Sequence, residues 1–225
     1  MKKPEILFED PHILVCKKPA GIPVQTRNPG IPDMESILKN HLRETSPSQK
    51  ELYLAVVHRL DQPVEGVMVF AKTRKAAADL NRQLQSASFG KYYQAVVCGK
   101  LPAKSGTLTD YLVKDGRTNT SRICTKDTPG AKSAILSYEV IKIQEQPLLS
   151  LVDIRLQTGR HHQIRVQMAH AGAPLWGDNR YHPEFLSKRG YFPIALCAYK
   201  LSFNHPVTGK TMVFQTTCHW PQFVR

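Results

Sequence analysis

The segment His58-Arg59-Leu60-Asp61-Gln62-Pro63-Val64-Glu65-Gly66 sets one aspartate two residues after an arginine and just past an apolar run. A carboxylate repels phosphate, so in a chain of formal net charge +13 its place beside a cation invites a chemical role rather than one in holding a polyanion. With Leu54 to Leu60 extended, Arg59 and Asp61 project from one face, and the guanidinium keeps Asp61 ionised at neutral pH. Such a group serves as a nucleophile or as a base. Taken alone, the segment also reads as a surface ion pair. Glu65 adds a second carboxylate four residues on, and two carboxyl groups can cut a glycosidic bond, one as acid and one as nucleophile.

Two further segments carry reactive side chains. In Lys91-Tyr92-Tyr93-Gln94-Ala95 the tyrosines point to opposite faces of a strand over 91–98, so one can face a cleft while the other packs in the core. In Thr158-Gly159-Arg160-His161-His162-Gln163-Ile164-Arg165, followed by Gly177-Asp178, Arg165 is the candidate partner of Asp61 from a distant part of the chain. A guanidinium stays charged and grips both oxygens of a carboxylate. Arg160, with the N–H groups that open a helix near 160 or 161, suits a phosphate, or else is a solvated surface charge. The histidines form neither H-x-x-x-H nor H-E-x-x-H and no acidic cluster accompanies them, so no metal site is expected.

The elements that must position these residues follow from the apolar pattern. Short strands are expected at 5–9 and 12–17, then a Pro- and Gly-rich loop from 18 to 32. A helix capped by Asp33 runs to Arg43 with Ile37, Leu38 and Leu42 inward, and a polar stretch from Glu44 to Lys50 leads to the strand that delivers Asp61. Residues 66–72 read as a central strand. Thr73 caps a helix with Ala77, Leu80, Leu84 and Ala87 on one apolar stripe. Strands follow at 91–98, 107–112, 121–125, 133–143 and 148–156, a helix to Ala171, and strands at 194–203 and 210–216 joined by a turn over 204–209. Many strands in succession with few helices indicate an α+β fold with a mixed, largely antiparallel sheet.

Thirty-one Lys and Arg against eighteen Asp and Glu make nucleic acid the leading partner, ahead of membrane. An apolar fraction of 41% permits a substantial core. The start lacks the apolar run of a secretory signal, no stretch is long enough to span a bilayer, and the five cysteines are far apart with no C-x-x-C. A cytoplasmic location is expected.

With the opening Glu9-Asp10-Pro11-His12-Ile13-Leu14-Val15-Cys16-Lys17-Lys18-Pro19-Ala20-Gly21, the ordered set of motifs resembles the RluA-like RNA pseudouridine synthases. The family pattern runs from E-D-x-x-ϕ-ϕ-V-x-x-K-P-x-G through H-R-L-D and K-x-Y to T-G-R-x-H-Q-I-R, in that order here and over nearly the whole chain. The resemblance implies a long mixed sheet with a central RNA-binding cleft and a single catalytic domain over 1–225, without the small RNA-binding domain that precedes it in many relatives. It implies isomerisation of uridine to pseudouridine in ribosomal or transfer RNA, with no cofactor, no metal and no obligate protein partner.

The catalytic set so implied is Asp61, Tyr93 and Arg165. Tyr93 would stack on the uracil or move a proton, and Tyr92 would stay in the core. The RNA-binding set is Arg59, Arg160 and His162, with His162 making a structural hydrogen bond. Arg59 would tune Asp61, enter the gap left by an extruded uridine, or meet phosphate without insertion. Relatives usually have Ser or Thr where Glu65 stands, which puts the surroundings of Asp61 in question. Two rival readings are an N-glycosidase using Asp61 and Glu65, and an RNA-binding protein without catalysis. Which RNA and which uridine are modified is not encoded in a readable way.

Overall fold

The computed structural model describes residues 4–28, 30–45, 52–86, 88–188, 190, 192–221 and 223. In chain order the first elements are β1 (Glu5–Glu9), β2 (Ile13–Lys18), α1 (Met34–Thr45), β3 (Ala55–Val56), β4 (Glu65–Ala71) and α2 (Arg74–Leu84). There follow β5 (Gly90–Cys98), β6 (Ser105–Asp115), β7 (Thr120–Cys124), β8 (Lys132–Glu145), β9 (Leu148–Leu156), α3 (Gln163–His170), α4 (Pro183–Ser187), β10 (Leu196–Asn204) and β11 (Thr211–Gln215). The chain forms two compact units, Met1–Gly90 with Ala198–Thr217, and Lys91–Cys197 with Cys218–Arg225.

In the first unit the strand order is β1-β2-β4-β10, with β11 on β10 and β3 on β4. Asp10 makes the first reversal tight, because its Oδ1 accepts the N–H groups of His12 and Ile13, both at 2.7 Å. Thr73 caps α2 as its type and place require, its hydroxyl accepting the Ala76 N–H at 3.1 Å. The α2 stripe lies on the sheet: Ala76, Ala77 and Leu80 pack with Ile13, Val15, Val69 and Phe203, and Leu84 lies at the margin. Burying Leu80 contributes about 2 kcal/mol. Ala87 lies outside the described residues, as do 46–50 of the polar stretch. On α1, Met34 takes the inward place expected of Ile37 and joins Leu38 and Leu42 in full burial, while Ile37 is half-buried.

Gly66, the second residue of β4, has φ 139°, and an added Cβ there would come within 2.6 Å of the Ala198 Cβ and run into its carbonyl. Only glycine permits that approach of β10 to β4.

The second unit orders its strands β5-β9-β8-β6-β7, each antiparallel to its neighbour. The β1–β2, β2–β4, β3–β4 and β10–β11 pairings are antiparallel too, and the α+β class with a mostly antiparallel sheet and few helices holds. The five strands of this unit fall where alternation placed them, to within a few residues. Against them α3 seats Val166 on Leu112 and Ala134. Helix α4, five residues long, has no counterpart in the sequence reading. It starts at a proline and is capped by His182, whose ring accepts the Glu184 N–H. Among the described residues no helix is long and apolar enough to cross a membrane.

Candidate active site

Asp61 is not delivered by a long strand. The expected run to Leu60 pairs only at Ala55–Val56, because the Val69 N–H of β4 is taken by a side chain: it donates to His58 Nε2 at 3.2 Å. The imidazole also meets Phe89 edge-on, with ring centres 5.6 Å apart. With Nε2 accepting, the ring proton sits on Nδ1. The chain past His58 is therefore a loop, and the period-two argument that set Arg59 and Asp61 on one face does not apply to it. Buried Leu60 and Val64 anchor the loop on either side of half-buried Asp61, and the Val64 N–H closes a turn on the Asp61 carbonyl at 3.0 Å. Arg59 is exposed.

The cation built in beside this loop is Lys18. It is 0% exposed, and its ammonium donates to the carbonyls of Ile22 (2.7 Å), Pro19 and Gln62 (both 3.0 Å). The Gly21 N–H meets the same Gln62 carbonyl at 2.9 Å, and the Gln62 amide returns to the Gly21 carbonyl at 3.1 Å. The K-P-x-G loop and the H-R-L-D loop are thus tied through one ammonium and the Gly21–Gln62 backbone. Burial pushes the Lys18 pKa down to about 8, with the carboxylates of Asp61 and then Glu65 opposing that fall. Lys18 therefore supplies positive charge to both carboxylates at neutral pH. The motif that contains it was legible, but its role was not, since nothing in a K-P dipeptide announces a buried amine.

This has a consequence for stability. The folded protein releases the Lys18 proton near pH 8 and the unfolded chain near its ordinary 10.5, so between them the unfolded state binds more protons and stability rises with pH. The Lys18 share of the rise from pH 7 to 9 is about 1 kcal/mol. The thiols of Cys16 and Cys98, raised by burial from an ordinary 9.0 to about 12 and about 11, oppose it from about pH 8 upward without cancelling it by pH 9. Urea unfolding at pH 7 and pH 9 measures the net difference; a fall in stability would show that Lys18 keeps its proton throughout.

The second unit carries the remaining candidates. Tyr93 lies on β5 opposite Ile154 of β9 and is 7% exposed, while Tyr92 projects to the other face, half-buried, with the Arg155 guanidinium 5.7 Å from its ring centre. Of the two, Tyr93 is the more enclosed, and Tyr92 is a margin residue covered by an arginine rather than a core aromatic.

The T-G-R turn is organised by Gln163. Its Oε1 accepts the Thr158 hydroxyl at 2.8 Å and the Arg160 N–H at 2.9 Å, and its Nε2 donates to Gln167 at 3.0 Å. His162 adopts a left-handed conformation at φ 55°, which delays α3 to Gln163 rather than 160 or 161. The Arg160 N–H is thereby spent inside the turn. Its Nε donates to the Ser133 carbonyl at 2.8 Å, which holds the exposed side chain along the strand.

His162 and Arg165 meet on Tyr181. The Tyr181 hydroxyl accepts the Ser121 N–H at 2.8 Å and shares a hydrogen bond of 2.7 Å with His162 Nδ1. The structural hydrogen bond expected of His162 is this one. Burial first, then the charges of Arg165, His161, Arg180 and Lys114, hold the His162 pKa down to about 2, so the ring is neutral. Arg165 lies with its guanidinium carbon 5.2 Å from the Tyr181 ring centre.

Asp178 grips Arg165 at both ends, with Nε to Oδ2 at 2.9 Å and Nη2 to Oδ1 at 2.7 Å, the side chains 3% and 0% exposed. Asp178 Oδ1 also accepts the N–H groups of Arg180 and Tyr181, at 2.9 and 3.2 Å. Gly177 makes the turn possible, at φ 75° and against the Pro193 carbonyl where a side chain would collide. The Gly177-Asp178 pair was visible in the sequence; its service to Arg165 was not, because nothing in a lone Gly-Asp names its partner. Among the described residues no group of three or more His, Cys, Asp or Glu could hold a metal ion.

A family model described as RNA pseudouridylate synthase matches residues 12–170. An uncharacterized RNA pseudouridine synthase of Bacillus subtilis is 36% identical over 212 residues, covering 93% of this chain and 67% of that protein. The ribosomal large subunit pseudouridine synthase D of Pseudomonas aeruginosa is 35% identical over 224 residues, covering 94% of this chain and 67% of its own. Among solved structures, human RNA pseudouridylate synthase domain containing 4 superposes with a TM-score of 0.76 at 21% identity, over 96% of this chain and 88% of that one. That likeness is one of fold.

Proposed function

The chain belongs to the RNA pseudouridylate synthase family, and from that premise we propose that it isomerises chosen uridines of ribosomal or transfer RNA in the cytoplasm, with Asp61 as the catalytic carboxylate. The observation that carries the proposal is the setting of Asp61: a loop anchored by Leu60 and Val64, closed by its own turn, and charged by a buried lysine. A carboxylate held this way is presented rather than merely exposed.

In the reaction the bond from ribose carbon 1 to uracil nitrogen 1 breaks, the base turns, a bond forms from carbon 1 to carbon 5, the carbon 5 hydrogen leaves as a proton and nitrogen 1 regains one. Electrons balance without an oxidant, and no step calls for a cofactor or a metal. Tyr93 stacks on the extruded uracil or moves one of these protons, and Arg165, fixed by Asp178, supplies a charge of constant orientation. Arg59 and Arg160 meet phosphates, and neutral His162 supports Arg165 through Tyr181. The relatives' names make large-subunit ribosomal RNA the first substrate to try.

Glu65 gives a second reading a foothold, since Lys18 answers to both carboxylates and a carboxylate pair could hydrolyse the same bond. Chromatography of nucleosides and free bases after incubation with ribosomal RNA separates the two. Pseudouridine without free uracil is expected; free uracil would mean hydrolysis.

A further inference from the structure

Lys91, the lysine of the K-x-Y motif, is 8% exposed, and no carboxylate or carbonyl partners its ammonium among the described residues. A largely enclosed lysine that pairs with no acid gives up hydration without a counter-charge to replace it, and packing alone would be better served by an aliphatic residue. The side chain shares the Tyr93 face of β5, two residues and about 7 Å back along the strand. Its Nζ lies over Gly159, 3.0 Å from where a Cβ would stand. The glycine of T-G-R thus leaves room for an amine. The next residue is Arg160, pinned by its N–H to Gln163 and by its Nε to Ser133, with no carboxylate on its terminal amino groups among the described residues. Burial and the Arg160 charge both push the Lys91 pKa down, and no acid counters them. Lys91 at the Cα of Gly159 and Arg160 one residue on thus bring two cations to the same turn, and no acid among the described residues answers them.

We propose that Lys91 and Arg160 together bind one backbone phosphate of the RNA, over the bare Cα of Gly159 and beside the nucleotide that stacks on Tyr93. This rests on the synthase reading for the identity of the anion, though not for the existence of the site. Joint binding requires both cations, so loss of either should release the same phosphate.

The test is the salt dependence of binding to a synthetic RNA stem–loop for the intact protein, Lys91→Met, Arg160→Ala and the double variant, together with their thermal midpoints. The slope of log affinity on log salt should fall by about 0.7 to 0.9 in each single variant, the value for one phosphate, and no further in the double. The midpoint of Lys91→Met should be unchanged or higher. An unchanged slope with a lower midpoint would make Lys91 structural and overturn the proposal; additive slope losses would mean two separate phosphates and overturn joint binding. If inorganic phosphate, at matched ionic strength, raises the midpoint of the intact protein alone while the RNA slopes stay equal, the site takes free phosphate and the RNA assignment falls. Isomerase activity of the intact protein is read separately: its absence beside a Lys91-dependent slope removes the synthase reading and leaves the phosphate site standing.

Discussion

Asp61→Asn is expected to lower turnover by at least about a thousandfold while leaving RNA affinity nearly intact. Asparagine matches aspartate in shape, and the turn from Val64 uses the backbone carbonyl of residue 61 rather than its side chain. What is lost is the negative charge and with it the capacity to attack or to accept a proton. The affinity should hold because RNA binding draws on cations, and removing an anion does not weaken them. Single-turnover rates and dissociation constants on one RNA give both numbers. Turnover within tenfold of the intact protein would remove Asp61 from the chemistry. A parallel drop in affinity and rate would make it a binding residue.

Asp178→Ala is expected to cost about 3–5 kcal/mol, because it takes from a buried guanidinium the carboxylate that grips it at both ends. Two backbone donors lose their acceptor in the same step. For a chain of this length that lowers the thermal midpoint by about 10 °C or more. The proposed role of Arg165 adds a second expectation. Replacing both members, Arg165→Met with Asp178→Leu, removes both charges of the pair and should recover much of the stability, yet turnover should stay low. Recovery of both together would show that Arg165 serves the fold alone. A loss of less than about 1 kcal/mol in Asp178→Ala would contradict the buried pair, since that is the range of a solvated one.

Much of this molecule could be read from its sequence where a single local rule governed. The apolar pattern placed β5, β8 and β9, and the cap at Thr73 with the stripe through Ala77 and Leu80 placed α2. The reading went wrong where a side chain replaced a backbone partner. His58 takes the Val69 N–H, so the strand toward Asp61 stops at Val56. Gln163 takes the Arg160 N–H and His162 turns left-handed, so α3 starts late. Met34 displaced Ile37 because it is the first residue of α1 and fully buried there.

The candidate residues were legible as motif members. Their partners were not, because the contacts that give Lys18, Lys91 and Asp178 their meaning lie across loops: Lys18 reaches the Gln62 carbonyl 44 positions on, and the Lys91 ammonium lies over Gly159. Tyr92 and Tyr93 show the same limit. Alternation says that they part, and only the neighbour Arg155 says which of them is half-covered.

The most direct test of the account is release of tritium from RNA transcribed with uridine labelled at carbon 5, comparing the intact protein with Asp61→Asn. That hydrogen must leave if carbon 5 becomes the glycosidic carbon. Release by the intact protein alone, with the RNA uncut and no free uracil, is the predicted result. Equal release by both proteins would contradict the role of Asp61, and no release from ribosomal and transfer RNA that the intact protein binds tightly would contradict the activity.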